Sequence, residues 1–209
     1  MRLKICGVAR RSDAEYLDGR VDYIGFIPDT SGGARSVALD RAMEIRGAVK
    51  QSIPVAVFSQ MSIVDAIRVA SLLGVGVIQH PALGSREGLD LAVKLGRGLR
   101  FAPVIYVSPN APARAAELLD RYGDYLEYVL IDAPKQGFDV YERGLKFPLG
   151  LLRGISGMRV GVAGGISPSN VAEVAAMNPF LIDISSGVES SPGIKDPAKV
   201  EAIRKVIGK

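Results

Sequence analysis

The chain has 209 residues, 48% hydrophobic and 23% charged, which predicts one compact domain with a sizeable core. No apolar run approaches the ~20 residues of a membrane-spanning helix and no signal-peptide profile is present, so we expect a cytoplasmic protein without a membrane partner. The single cysteine excludes an internal disulfide and a thiolate zinc cluster. The lysines and arginines behind the net charge of +4 are scattered along the chain, which does not favour nucleic-acid binding. A solvated surface or an anionic small-molecule partner explains this charge.

Short apolar runs alternate with amphipathic segments along the chain, which is typical of repeated βα units over a parallel sheet. The predicted strands are Leu3–Cys6, Tyr23–Ile27, Pro54–Phe58, Val75–Gln79, Ala102–Val107, Tyr128–Asp132, Arg159–Ala163 and Leu181–Ile184. Eight strands in about 200 residues predict an α/β fold, a TIM (β/α)8 barrel that forms a single domain over residues 1–209. A doubly wound open sheet is the alternative.

Capping residues predict where several helices begin. The predicted caps are Ser12 with Glu15 in a capping box, Ser62, Ser167 before Pro168, and Asp196 before Pro197. Residues 144–154, between the sixth and seventh strands, give the least regular helical pattern because Pro148 and Gly150 interrupt it.

The alternation of side chains along a strand predicts which residues point into the barrel. In the first strand the helix layer takes the apolar residues, so Lys4 and Cys6 are expected to point inward. By the same alternation, Asp132 in the sixth strand and Asp183 in the eighth point inward. One thiol and two carboxylates should therefore converge at the carboxyl ends of the strands, where TIM barrels carry their function.

Each of these residues also has a structural explanation. Cys6 can be a small buried hydrophobe, and Asp132 and Asp183 can cap loop N–H groups at the barrel rim. Lys4 can lower the pKa of the thiol or form an interior ion pair, with Asp183 as the possible partner. Because a buried unpaired carboxylate is costly, both aspartates need a partner, a solvated cleft or a ligand.

Two polar, glycine-containing turns follow the seventh and eighth predicted strands. The first runs from Gly164 to Pro168, and the second begins at Ser185. Their backbone N–H groups can approach an anion closely because little side-chain bulk intervenes, and this pair of loops is the usual phosphate site of TIM barrels. The residues expected to bind a phosphate are Gly164, Gly165, Ser185, Ser186 and Gly187. Two tight turns without a ligand are the structural alternative.

Several segments, in this order, resemble the motifs of the phosphoribosylanthranilate isomerase family of tryptophan biosynthesis. The matching segments are Lys4-Ile5-Cys6-Gly7, Ile24-Gly25-Phe26, Leu130-Ile131-Asp132-Ala133, residues 164–171, and the long motif of residues 183–197. The resemblance implies the Amadori rearrangement of N-(5-phosphoribosyl)anthranilate, with no metal and no cofactor. It further implies that Cys6 is the general base, that Asp132 is the general acid, and that Arg35 meets the anthranilate carboxylate. We expect a monomer or a homodimer.

The chemistry of this rearrangement suits the implied roles. Opening the ribose ring needs a proton on the ring oxygen, which a carboxylic acid such as Asp132 can supply if its pKa is raised. The resulting iminium must lose the proton on C2 of the sugar. A Cys6 thiolate can remove it once nearby positive charge, with Lys4 as the candidate, lowers the pKa of the thiol. Asp183 is expected to contact the substrate.

The sequence departs from the family pattern in three places. The family's Ser-Pro-Arg is Gly33-Ala34-Arg35 here, and its Gln-Leu-His-Gly is Ile78-Gln79-His80-Pro81. His80, the only histidine, is therefore expected either to line the site or to pack the loop. The family's glycine-rich segment after the sixth strand is replaced by residues 134–139, which leaves the roles of Lys135 and Phe138 open.

Three other functions compete with this assignment. The histidine-pathway isomerase runs the same rearrangement in a barrel, but that family has an aspartate where Cys6 stands here; dual-specificity barrels also exist. A synthase of the indole-forming step would carry a Lys/Glu acid–base set inside the barrel, which the sequence does not show. A non-catalytic barrel that binds a phosphate ligand or a flavin would show binding without turnover.

Overall fold

A computed structural model of the chain describes residues 1–29, 33–133 and 144–209. The segment of residues 134–139, with Lys135 and Phe138, lies outside the described residues. The barrel strands are β1 (Arg2–Ile5), β2 (Tyr23–Phe26), β3 (Ile53–Val57), β4 (Val77–His80), β5 (Arg100–Tyr106), β6 (Val129–Asp132), β7 (Val160–Val162) and β8 (Leu181–Ile184). The helices are α1 (Arg11–Leu17), α2 (Leu39–Ala48), α3 (Ile63–Leu72), α4 (Arg86–Leu95), α5 (Ala111–Tyr122), α6 (Val171–Ala176) and α7 (Pro197–Val206).

The strands form a closed barrel in which every neighbouring pair is parallel and follows the order of the chain. β8 pairs with β1 to close it, in a register that puts Lys4 beside Asp183. The predicted (β/α)8 barrel is therefore confirmed, and the doubly wound open sheet is excluded. Each predicted strand is present, with ends that lie within two residues of the prediction and, for β8, coincide with it.

Side-chain alternation divides the buried residues into two clusters. Leu3 and Ile5 belong to the cluster between the strands and the helices, whereas Tyr23 and Leu130 belong to the cluster that fills the barrel. Lys4 lies between the two outward-facing residues of β1 and is completely buried, as its inward direction requires. Burial of the apolar side chains stabilises the fold by about 1.5–3 kcal/mol for each large residue.

The predicted caps are confirmed for two helices. The Ser62 hydroxyl accepts a hydrogen bond from the Asp65 amide at the start of α3, at 3.1 Å. At the start of α7, the Asp196 carboxylate accepts one from the Ala198 amide at 2.9 Å, and Pro197 occupies the first turn.

Two predicted caps are wrong. α1 begins at Arg11, so Ser12 lies inside the helix, and the start is held instead by an ion pair between Arg10 and Asp13. α6 begins at Val171 rather than after Ser167. The Asn170 side chain accepts from the Ser167 amide and donates to the Gly165 carbonyl, which closes a turn before the helix.

Residues 144–159 lead from the undescribed segment to β7. This described part of the connection contains a 3-10 helix, Leu149–Leu152, which follows Pro148. Across the described residues, no helix has the length and apolar character that crossing a membrane requires.

Two short strands after β8 were not predicted. β9 (Glu189–Ser191) and β10 (Ile194–Lys195) pair antiparallel as a small separate sheet before α7. The turn between them contains Pro192 and Gly193, a dipeptide that favours a turn, so the sequence did carry a signal for this hairpin.

Candidate active site

A cavity of about 630 Å³ opens at the carboxyl ends of the barrel strands. The predicted site residues that line it are Cys6, Arg35, Asp132, Gly164, Gly165, Asp183, Ser185 and Ser186. The predicted residues His80 and Gly187 do not line it. Side chains that the sequence analysis did not assign to the cavity include Tyr106, which is half exposed at its rim, and Lys146.

Within the described ranges, no group of three or more His, Cys, Asp or Glu side chains could hold a metal ion.

Lys4 and Asp183 form an ion pair beneath the cavity floor. The Lys4 Nζ donates to Asp183 Oδ2 at 2.7 Å, with the lysine completely buried and the aspartate 5% exposed. Asp183 Oδ1 is also buried and has no hydrogen-bond partner. The interior ion pair expected as one role of Lys4 is therefore present, and the second carboxylate oxygen is an acceptor without a donor at the wall of the cavity.

The Lys4 ammonium stays charged in this environment. Burial alone would lower the pKa of Lys4, but the Asp183 carboxylate, the Cys6 sulfur and a hydrogen bond to Asp183 raise its pKa above the ordinary lysine value. The charged Lys4 ammonium is thus paired with the Asp183 carboxylate and lies close to the Cys6 sulfur.

Burial raises the pKa of the Cys6 thiol above its ordinary value of 9.0. The Lys4 ammonium acts in the opposite direction, the Asp183 carboxylate adds to the rise, and the Lys195 ammonium lowers the pKa. The expectation that nearby positive charge would bring the pKa of Cys6 down is therefore wrong for this site, because removal from water outweighs the two lysines.

Asp132 lies at the end of β6, in register with Tyr106 of β5. It lines the same cavity as Cys6, although the two residues come from strands that are not neighbours in the barrel. The thiol and this carboxyl group therefore face a common space, as the alternation of side chains predicted.

His80 packs behind the cavity wall. Its Nδ1 accepts from the Ala82 amide at 2.9 Å, and its Nε2 is 2.8 Å from the Met61 carbonyl, so the ring hydrogen belongs on Nε2. Burial lowers the pKa of His80, which keeps the ring neutral at pH 7. The placement of His80 in the substrate-binding set is corrected here, because both ring nitrogens hold the loop and only the flanking residues, Gln79 and Pro81, reach the cavity.

The two predicted phosphate turns lie side by side at one end of the cavity. Gly164 and Gly165 follow β7, and Ser185 and Ser186 follow β8, where a 3-10 helix of Ser186–Val188 begins. Gly187 lies behind this wall, and a Cβ atom there would overlap the carbonyl oxygen of Ile166. The absence of a side chain at Gly187 lets the two turns approach each other, and its contact with the phosphate stays a prediction.

Arg35 lines the cavity and makes a bidentate ion pair with Glu189. Glu189 also binds Lys195, and both residues come from the β9–β10 hairpin. Glu189 and Lys195 belong to the long motif of residues 183–197. The sequence of this motif does not indicate that the two charged side chains are buried next to Arg35.

A closed (β/α)8 barrel in which a thiol, two carboxylates and two polar, glycine-containing turns surround a cavity at the carboxyl ends of the strands is the architecture of a barrel enzyme. Residues 3–206 match the sequence model of the family described as N-(5'phosphoribosyl)anthranilate (PRA) isomerase. The chain belongs to this family, and it is an isomerase of tryptophan biosynthesis.

Individual relatives agree with the family assignment. The chain is 44% identical to the N-(5'-phosphoribosyl)anthranilate isomerase of Pyrobaculum islandicum, with 100% of this chain and 99% of the relative covered. It is 40% identical to that of Pyrobaculum aerophilum, over 99% and 98% of the two chains. The crystal structure of TrpF from Jonesia denitrificans is similar with a TM-score of 0.80 and 26% identity, covering 100% of this chain and 97% of that one.

Proposed function

We propose that Cys6 and Asp132 carry out the proton transfers by which this isomerase converts N-(5'-phosphoribosyl)anthranilate to 1-(2-carboxyphenylamino)-1-deoxyribulose 5-phosphate. The observation that carries the proposal is the shared cavity: Cys6 and Asp132 line it together with the two turns predicted to bind the phosphate. Acid, base and phosphate site are thus available to one small substrate.

In the first step the carboxyl group of Asp132 gives a proton to the ring oxygen of the ribose. The bond between that oxygen and C1 breaks, and the lone pair of the anthranilate nitrogen forms a C=N bond, which leaves an iminium cation. In the second step the Cys6 thiolate takes the proton from C2, and the electrons of the C–H bond neutralise the iminium to give an enol amine. Tautomerisation of the enol then yields the ketone product.

The positive charge of the iminium also counteracts the effect of burial on the pKa of the thiol. Burial makes a Cys6 thiolate costly, but a cation formed next to the sulfur favours the charged form, as Lys4 and Lys195 already do. On this mechanism the thiol gives up its proton to solvent mainly after ring opening, when the iminium stabilises the thiolate. Proton abstraction is therefore tied to the intermediate that needs it.

The remaining predicted residues bind the substrate in the same proposal. The turns of Gly164-Gly165 and Ser185-Ser186 take the phosphate through backbone N–H groups. Arg35 takes the anthranilate carboxylate. Asp183 Oδ1, which has no partner of its own, accepts a hydrogen bond from a hydroxyl of the sugar.

Two variants test the assignment of acid and base. Turnover is followed by the decay of the substrate's fluorescence. Cys6→Ser and Asp132→Asn should each reduce kcat by at least ~100-fold, the usual loss when an acid or base is removed. Asp120→Asn, an exposed residue of α5, is the matched control and should retain the wild-type rate. A near-normal rate in either site variant would move that role to another residue.

We also propose that the enzyme works in the cytoplasm, where a reducing environment keeps Cys6 as the free thiol that the mechanism needs. The prediction of a monomer or a homodimer can be checked by sedimentation of the purified protein.

A further inference from the structure

The C-terminal motif contains two charged residues that the mechanism above does not use. Glu189 in β9 and Lys195 in β10 lie opposite each other in the hairpin. Glu189 is 7% exposed and Lys195 is 3% exposed, so both charges are removed from water. Removing charges from water is costly unless they are paired and hydrogen-bonded. Even in a buried pair this cost often cancels the attraction between the charges, so the pair does not by itself indicate that its role is to stabilise the fold. These two residues therefore call for a functional explanation.

Glu189 fixes the orientation of Arg35. Its two carboxylate oxygens accept from Arg35 Nε at 2.9 and 3.1 Å, and Oε2 also accepts from one terminal nitrogen, Nη2, at 2.6 Å. A guanidinium has five N–H donors in one plane, and this contact occupies the edge formed by Nε and Nη2. The outer edge, formed by Nη1 and the other hydrogen of Nη2, is left for a ligand. Planar recognition of a carboxylate uses such an edge.

Lys195 restores the positive charge that Glu189 cancels. An arginine paired with one carboxylate has no net charge, and would attract an anion only weakly. The Lys195 Nζ lies 2.7 Å from Glu189 Oε1, 2.6 Å from the Cys6 carbonyl oxygen and 3.4 Å from the Ser185 carbonyl oxygen. Three acceptors match the three donors of an ammonium group, so the cluster of Arg35, Glu189 and Lys195 carries a net charge of about +1.

The side chain of Arg35 is also held along its length. A Cβ atom on Gly7 would lie 2.6 Å from Arg35 Cδ, so the arginine stem packs directly on the backbone of the residue that follows Cys6. Gly7 has a φ of +70°, which favours glycine at this turn in any case. The hairpin itself is anchored, because the Lys195 amide donates to Asp13 Oδ2 of α1 at 3.1 Å.

We propose that Glu189 and Lys195 are positioning residues, which hold the outer edge of Arg35 toward the carboxylate of the anthranilate ring and keep a net positive charge there. The inference rests on the proposed function and deepens it, since it names the residues through which the site recognises an aromatic amine that bears a carboxylate. Neither residue touches the reacting atoms.

The test compares two probes that differ only in the carboxylate. One is the reduced form of the product, 1-(2-carboxyphenylamino)-1-deoxyribulose 5-phosphate, and the other is the same compound with a plain phenylamino group. The ratio of their Kd values, measured by titration calorimetry, isolates the contribution of the carboxylate. In the wild-type enzyme the carboxylate should tighten binding about 10- to 100-fold, the worth of a charge-assisted bidentate contact.

Two variants remove the positioning groups separately. Glu189→Gln keeps the size of the side chain but loses the anionic partner of Arg35, and Lys195→Met removes the ammonium while filling similar space. In both variants the Kd ratio should fall at least about fivefold, while the Kd of the plain phenylamino probe changes little. KM for the substrate should rise more than kcat falls. Glu117→Gln, which breaks the exposed ion pair between Arg86 and Glu117, is the matched control and should keep the wild-type ratio.

The outcomes separate this inference from the proposed function. If the wild-type enzyme fails to turn over phosphoribosylanthranilate, the proposed function fails. If it turns over the substrate and either folded variant keeps the full Kd ratio, the positioning role alone is overturned. An unfolded fraction weakens the apparent Kd of both probes by the same factor, so partial unfolding cancels in the Kd ratio. If neither variant folds, the cluster is required by the barrel itself and the positioning role is overturned as well.

Discussion

Replacement of Lys4 by methionine should destabilise the barrel strongly. Lys4 is completely buried, and its Nζ is the group that pairs with Asp183 Oδ2, at 2.7 Å. Asp183 Oδ1 already lacks a partner, so Lys4→Met leaves a buried carboxylate with neither oxygen paired. Breaking a buried pair in this way costs about 3–5 kcal/mol. For a chain of this length, each kcal/mol lowers Tm by about 2–4 °C, which gives a total fall of about 6–20 °C.

Thermal and urea unfolding, followed by circular dichroism, measure this loss. The double variant Lys4→Met with Asp183→Leu removes both charges, and its stability should lie within about 1 kcal/mol of the wild type, because apolar replacements of a whole buried pair are often neutral. Arg11→Met breaks the exposed pair between Arg11 and Glu15 and is the matched control, with a Tm expected to stay close to that of the wild type. A loss below about 1 kcal/mol in Lys4→Met would refute the reasoning, since it would mean that the carboxylate is not energetically buried.

Three further predictions follow from the geometry of the site. The chain has a single cysteine, so iodoacetamide alkylation reports on Cys6 alone. A plot of the alkylation rate against pH should have its midpoint above pH 9.0, because burial raises the pKa of the thiol. A midpoint below about pH 8 would contradict this. His80→Gln should lower the free energy of unfolding by about 1–3 kcal/mol and leave KM within about twofold, as expected for a loop-packing residue, and a large rise in KM would return His80 to the substrate site. Gly187→Ala should weaken inhibition by ribose 5-phosphate at least about tenfold, because its Cβ would force the turns after β7 and β8 apart; unchanged inhibition would separate Gly187 from the phosphate site.

The sequence predicts the architecture well because the barrel depends on local patterns. Eight apolar strand segments, their alternation with amphipathic segments and the inward direction of Lys4 and Cys6 all follow from residues that are close in the chain. The placement of Asp132 at the cavity follows from the same alternation and from the rule that function lies at the carboxyl ends of the strands.

Properties that depend on distant contacts or on burial could not be predicted in this way. Arg35 and Glu189 are separated by 154 positions, and no local pattern indicates their contact. The pKa of Cys6 depends on the balance between removal from water and two lysines, which spacing alone does not give. His80 occupies the position of a family motif, yet the two hydrogen bonds of its ring turn it away from the cavity.

Charged residues near Cys6 form two clusters, one of Lys4 with Asp183 and one of Arg35, Glu189 and Lys195. In the first cluster, Lys4 and Asp183 neutralise each other and leave one unsatisfied acceptor, Asp183 Oδ1. In the other cluster, Glu189 pairs with both Arg35 and Lys195 and contacts only the Nε–Nη2 edge of Arg35. On the proposed mechanism, the sugar hydroxyl meets the acceptor and the anthranilate carboxylate meets the outer edge of Arg35. C2, from which the thiolate takes its proton, lies in the part of the substrate between these two groups, so the pairing that makes the charges tolerable in the barrel also orients the substrate over the base.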